Sequence, residues 1–216
     1  PSKEIQEMSD LVTVRHSFLK QLNSAQSRIW ATLTRKGLKI PERSIFSKKG
    51  LTHLNLIIKE GKCGSDLKFL FTHYQNVAMS LEQSTNELIE YAKSNFPEEW
   101  KKLQDINGIG PLVSSYTIAN VHPISRFENK KKLRRYAGVI PCFQESAGKF
   151  HGSFLPKTSS RALLRWALTQ AAHGAIRTKN SKLSLYYKSK KKDKKQKAIM
   201  AVARSVCDLV FMKLNE

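Results

Sequence analysis

The sequence predicts a mainly α-helical protein: a helical hairpin or coiled coil, followed by a compact helical domain containing a helix-hairpin-helix turn. Apolar residues recur at helical spacing through most of the chain, and glycine and proline punctuate the segments between them. Strand-like alternation is scarce. The character of the chain changes near residue 100, which divides a hairpin region, 1–100, from a compact domain, 101–216.

In the first helix Leu11, Val14, Phe18, Leu22, Ala25, Ile29 and Leu33 keep helical spacing, with Arg15, Lys20, Gln21 and Arg28 on the other faces. Gly37 suits a C-cap, and Ile40-Pro41 ends the element. Residues 38–65 carry Pro41, Gly50, Gly61 and Gly64 and read as a connector with one short helix over Leu51–Lys59. A second long helix is expected over Ser65–Phe96. Its repeat is seven, with Leu67, Tyr74, Leu81 and Leu88 on one line and Leu70, Val77, Ser84 and Tyr91 beside it. The first helix is too short for an isolated rod. The pair fits a hairpin within one chain and half of an intermolecular coiled coil equally well.

Beyond Leu103, short helices alternate with Gly/Pro turns as far as Pro156. A helix is expected over Ser160–Ile176, with Leu163, Leu164, Trp166, Ala167 and Ala171 apolar. Residues 188–197, KSKKKDKKQK, read as a solvated charged loop containing Lys190, Lys191 and Lys192. The last helix, Ala198–Leu214, places Ile199, Val202, Val206, Leu209, Val210 and Met212 on a broad apolar face.

The 216 residues hold 38 Lys+Arg against 17 Asp+Glu, a formal charge of +21. Such an excess repels itself in a compact chain, and a polyanion relieves it. Neutralised phosphates release condensed counterions, so nucleic acid is the natural partner. With 40% hydrophobic residues the chain can bury a core, which excludes a disordered tail. No stretch of 18 apolar residues exists, and the basic residues are spread along the chain, so no membrane partner is expected. Cys63, Cys142 and Cys207 form no CxxC, which argues against a zinc knuckle or a disulfide framework and for a reducing cytosol. The polar start, Pro1-Ser2-Lys3-Glu4, has neither a signal-peptide core nor an initiator Met, and a longer parent chain is expected.

The clearest motif is an apolar lead-in from Leu103, then Gly108-Ile109-Gly110, then a helix opened by Pro111. Glycines allow positive φ and close backbone approach, and proline suits the first helical position. The N–H groups at such a helix start can bind a phosphate, a contact that grips backbone and reads no sequence. A second segment, Gln144-Glu145-Ser146-Ala147-Gly148-Lys149, could carry a nucleophile, with Lys149, Arg161 and Arg165 as cations for a developing phosphorane charge. By spacing alone it is a loop, and Ser153, Ser159 and Ser160 are equally arguable. The six histidines lack HxxxH and HExxH spacing, and no acidic cluster for two metals is present, so no metal is expected on this chain.

NGIGPLVSSYTIANVHPISRFENKKKLRRYAGVIP, LLRWALTQAA and KKQKAIMAVARSVCDLVF, in that order, resemble the C-terminal domain of the DEDD-type insertion-sequence transposases related to the Piv invertase. The segment before them resembles the helix that follows the family's acidic domain, so the resemblance covers nearly the whole chain. It implies residues 1–100 as a coiled-coil linker and dimerisation region and 101–216 as the transposase domain. It also implies strand exchange through a phosphoserine intermediate, with Ser146 carried over as nucleophile and Gly108, Gly110, Lys149, Arg161, Arg165, Lys190, Lys191 and Lys192 as nucleic-acid contacts. Expected partners are DNA (element ends and target), a structured guide RNA, and further copies in a dimer or tetramer, in the cytoplasm at the nucleoid. Mg²⁺ is expected only through an N-terminal acidic resolvase-like domain, without which this chain would bind nucleic acid but not recombine it. Glu145 and Ala147 depart from the family's Ser-Ser-Gly-Gly loop, and Pro156-Lys157-Thr158-Ser159-Ser160 lacks its usual glycine. The competing expectations are a non-catalytic helix-hairpin-helix nucleic-acid-binding module and, more weakly, a ribosome-associated basic protein.

Overall fold

The structure, a computed structural model, describes residues 2–61, 63–146, 149–154, 162–191 and 194–216, and for 142–154 the backbone alone. In chain order it forms α1 (Lys3–Arg35), α2 (Lys48–Lys59), α3 (Ser65–Asn95), α4 (Pro97–Gln104), α5 (Pro111–Val121), a 3₁₀ turn (Ile124–Arg126), α6 (Lys130–Tyr136), β1 (Cys142–Ser146), β2 (Lys149–Phe154), α7 (Ala162–Arg177), α8 (Lys182–Lys190) and α9 (Lys195–Asn215). The mainly α class expected from the sequence is what forms. The chain packs as two units, one of Pro1–Val12 with Leu88–Glu216 and one of Thr13–Glu87.

In the unit Thr13–Glu87, Ala25, Ile29 and Leu33 of α1 meet Leu67, Phe71 and Tyr74 of α3, with Leu54 of α2 between them. Leu67, Tyr74, Val77 and Ser84 of the heptad lines are all buried, so the seven-residue repeat marks the packed stripe of α3. α1 ends as Gly37 requires. That residue has φ +65°, the Leu38 N–H donates to the Leu33 carbonyl at 3.0 Å, and the Gly37 N–H donates to that of Thr34 at 3.1 Å. Ser47 caps α2 by accepting from the Gly50 N–H at 3.1 Å.

The N-terminal part of α1 corrects one reading. Ile5, Met8, Val12 and Arg15 are buried there, whereas Val14 is 48% exposed. Helical spacing counted from Leu11 puts Val14 on the apolar face and Arg15 on a polar one. Its stem is buried while Nε donates to Thr85 Oγ1 at 3.0 Å, which satisfies the charged end.

In the other unit α5 is almost wholly buried, with Tyr116, Ile118 and Val121 in the core beside Leu103, Leu133, Leu164, Leu168 and Val206. Fully burying one such leucine contributes about 1.5–3 kcal/mol. Two hydroxyls on α5 are satisfied locally: Ser115 Oγ donates to the Pro111 carbonyl at 3.0 Å and Thr117 Oγ1 to that of Val113 at 2.7 Å. α7 packs against α9, and both bury small residues, Ala167, Ala171 and Ala172 on the one and Ala198 and Ala203 on the other. An Arg134–Asp208 ion pair ties α6 to α9, and the carboxylate beside it pushes the Arg134 guanidinium further up.

Two further corrections concern the second half. The segment read as a loop around Ser146 is an antiparallel hairpin. Cys142 pairs with Phe154, Phe143 with Ser153, Glu145 with Phe150 and Ser146 with Lys149, with an irregularity between Phe143 and Glu145. The lysine run is not one loop: Lys188 and Lys190 close α8, and Lys195 and Lys197 open α9. Helix α8 was not foreseen. It begins at Ser181, whose hydroxyl accepts from the Ser184 N–H at 3.1 Å.

Candidate nucleic-acid interface

The glycine turn joins α4 to α5. The Ile106 N–H donates to the Leu103 carbonyl at 3.1 Å and the Ile109 N–H to that of Ile106 at 2.9 Å, while both isoleucines enter the core. Gly110 is the N-cap of α5 and Pro111 its first residue. The first backbone bond of the helix is Ser114 N–H to the Gly110 carbonyl at 3.0 Å. Gly110 has no side chain to cap with, and Pro111 no N–H. The Leu112 and Val113 N–H groups therefore open the helix with its positive dipole end outward, the arrangement an anion takes.

The two glycines do different work. Gly108 has φ +96°, and a Cβ built on it would stand 2.3 Å from the Ala171 carbonyl oxygen and 2.5 Å from the Ala175 nitrogen on α7. Gly174 of α7 meets it from the other side, its own Cβ position lying 2.9 Å from the Gly108 carbonyl oxygen. Gly108 is thus the point where the turn docks on α7. A Cβ on Gly110 would meet nothing within 4 Å, and its φ of −102° suits any residue. Only Gly110 of the pair stands free beside the exposed helix start. Thr178 Oγ1 donates to Asn107 Oδ1 at 2.9 Å and closes the turn from the far end of α7.

The predicted cations fall at several places. Arg165 lies on α7, its guanidinium 3.1 Å from where a side chain on Gly138 would begin, at the root of the hairpin. The glycine turn docks at the level of Ala171 and Ala175, about 9 Å or more further along the same helix at 1.5 Å per residue. Lys190 and Lys191 sit exposed at the end of α8, where the Lys190 ammonium lies 5.9 Å from the Tyr186 ring centroid. Ser146 and Lys149 face each other as the last backbone pair of the hairpin, and their side chains lie outside the described residues. Arg161 and Lys192 lie outside them altogether.

Sequence reasoning missed a basic element at α6, KKKLRRY, capped by Asn129, whose Oδ1 accepts from the Lys131 and Lys132 N–H groups. Beside it Arg126 stands 4.7 Å from the ring centroids of both Phe127 and Tyr136. The signal was present in the alternation of aromatic and basic residues through Arg126-Phe127 and Arg135-Tyr136.

Residues 101–188 match the model of the Transposase IS116/IS110/IS902 family, a span running from α4 into α8. The chain is also similar to the transposase for insertion sequence element IS1111A of Coxiella burnetii (strain RSA 493 / Nine Mile phase I), at 25% identity over 195 residues. That alignment covers 86% of this chain and 52% of the relative, so the chain spans about half the length of the curated relative it matches.

Proposed function

We propose that this chain is the nucleic-acid-binding and serine-bearing part of an insertion-sequence transposase of the DEDD type related to the Piv invertase. The observation that carries the proposal is the position of the family match: it takes in the glycine turn, basic α6, the hairpin with Ser146, and α7. A formal charge of +21 supports DNA as partner. Gly110 opens the helix start that grips a phosphate; Arg165, Lys190 and Lys191 hold neighbouring backbone, with Lys149, Arg161 and Lys192 as further contacts.

In this reading Ser146 is the nucleophile. Its Oγ attacks a DNA phosphorus, a phosphoserine ester forms, the P–O bond to one strand breaks, and that strand leaves as a hydroxyl once its oxygen takes a proton. Attack by another strand's hydroxyl on the same phosphorus reverses the step and restores serine. Cations near the phosphate stabilise the charge that builds up in both directions. Among the described residues no three His, Cys, Asp or Glu side chains converge as a metal-binding set. Mg²⁺ belongs, in this proposal, to the acidic resolvase-like domain. Residues 1–100 serve as linker and dimerisation region, a structured RNA guides the complex to its target, and the assembly works in the cytoplasm at the nucleoid. Among the described residues no helix is long and apolar enough to cross a membrane.

Binding to labelled element-end duplex at rising salt tests the core of the reading. With six to ten phosphates contacted, affinity should fall about 10³- to 10⁵-fold between about 50 and about 200 mM salt. A flat response would remove the electrostatic basis of the proposal.

A further inference from the structure

We infer that the ledge at Arg126 is a stacking site for the base of an unpaired nucleotide, a contact that rests on the nucleic-acid reading above and adds base recognition to it. The 3₁₀ turn Ile124–Arg126 delivers Arg126 to the surface, where its guanidinium lies over two aromatic rings, 4.7 Å from each centroid. Those rings, Phe127 and Tyr136, brace one another edge to face at 5.0 Å. Arg126 also donates to the Asn120 carbonyl from the end of α5. A pinned arginine with one N–H given to the Asn120 carbonyl has lost part of its two-pronged grip on a phosphate. One that offers its flat face to a base gains directly, because its side-chain entropy is lost before binding. Bases splayed from single strands stack on aromatic rings and on guanidinium planes.

The surroundings suit a nucleotide. Arg126, Phe127, Tyr136, Lys132, Arg135 and Glu128 line an open cleft of about 390 Å³. Its cations outnumber its one carboxylate, and Glu128 lies 3.9 Å from Lys132, so part of that lysine's charge is already matched. Lys130 and Lys131 stand exposed on the same helix. The cleft thus offers a planar cation for the base and flanking ammonium and guanidinium groups for the phosphates on either side. A paired base inside a duplex cannot reach such a ledge. The ligand is therefore an unpaired nucleotide, from a single-stranded stretch of RNA or of DNA.

The test uses the full chain and three short oligonucleotide probes of equal phosphate number: single-stranded with one 2-aminopurine, abasic, and duplex. The single-stranded probe is made once as RNA and once as DNA. Wild type should bind it about tenfold more tightly than the abasic one, the size of one stacked base, and quench its fluorescence. Arg126→Lys keeps the charge and removes the plane. It should bring single-stranded binding down to the abasic level and abolish the quenching, while abasic and duplex affinities stay within about twofold. Arg126→Gln, with an amide plane but no charge, should retain part of the quenching. Whichever of the RNA and DNA probes shows the larger loss identifies the source of the base. Equal weakening of all three probes by Arg126→Lys would overturn the inference and make Arg126 a phosphate contact. An unchanged profile would overturn it too. Failure of wild type to bind any probe would overturn both this inference and the nucleic-acid reading beneath it.

Discussion

Gly108 and Gly110 form one motif in the sequence and two unrelated sites in the structure, and a single pair of substitutions separates them. In Gly108→Ala the new methyl must share space with the backbone of α7, with 2.3 Å to the Ala171 carbonyl oxygen, 2.5 Å to the Ala175 nitrogen and 2.8 Å to the Ala175 Cβ. None of these is the movable end of a flexible side chain. The residue must also keep a φ of +96°, which costs an L-residue about 1–2 kcal/mol. Overpacking against a helix backbone adds about 1–3 kcal/mol. Together that is about 2–5 kcal/mol, a large share of the 5–15 kcal/mol that holds a typical domain. Gly110→Ala meets nothing and keeps an ordinary φ, so its cost is that of a poorer N-cap, about 0.5–1 kcal/mol. Urea unfolding of the three proteins, followed by helical circular dichroism, gives both numbers. A cost below about 1 kcal/mol for Gly108→Ala, or equal costs for the two variants, would refute the assignment of Gly108 as the docking point on α7. Gly110→Val then becomes the clean probe of phosphate binding: it should fold normally and weaken DNA binding by about one phosphate contact's worth of affinity, with the salt slope reduced by about one.

Three further outcomes are expected. The Cys207 thiol is buried and pushed up from its ordinary 9.0 to about 12, so it should resist alkylation in the native chain at pH 8, whereas half-buried Cys63 reacts; fast labelling of Cys207 in a Cys142→Ser background would contradict its placement. Because the folded state holds that proton more tightly, its contribution to stability is complete below about pH 9 and is lost as pH rises toward 12, a decline that Cys207→Ala should lack in alkaline melts. Asp208→Ala strands Arg134 on α6 and should cost about 1–3 kcal/mol, less than a fully buried pair because both groups keep some solvent contact; a neutral melt would mean that apolar contacts such as Leu133 hold α6 without the ion pair.

Much of the helical frame was legible because its periodicity is strong and its ends are marked. The seven-residue lines through Leu67 and Tyr74 and through Val77 and Ser84 mark one buried stripe of α3, and the glycine at 37 marks the end of α1. The register of early α1 was misread because Arg15, a buried arginine with a hydrogen-bonded head, looks polar in a sequence. The hairpin was missed because its strands are short, although CFQES and KFHGSF both carry phenylalanine among polar residues. The site was legible as a set of residue types but not as an arrangement. The contact of Gly108 with Gly174 joins positions far apart in the chain, and no local pattern announces it. The Arg126 ledge likewise needs α6 to fold back so that Tyr136 reaches Phe127.

The proposed role of Ser146 as nucleophile is tested most directly by covalent trapping. The chain, joined to an acidic resolvase-like domain, is incubated with labelled element-end DNA, candidate RNA and Mg²⁺ and run on a denaturing gel beside Ser146→Ala and Ser153→Ala. A denaturation-resistant adduct is expected in wild type and Ser153→Ala and none in Ser146→Ala. An adduct that survives Ser146→Ala would contradict that role and place the nucleophile on another residue; no adduct in any of them would contradict it and leave a nucleic-acid-binding module without a nucleophile.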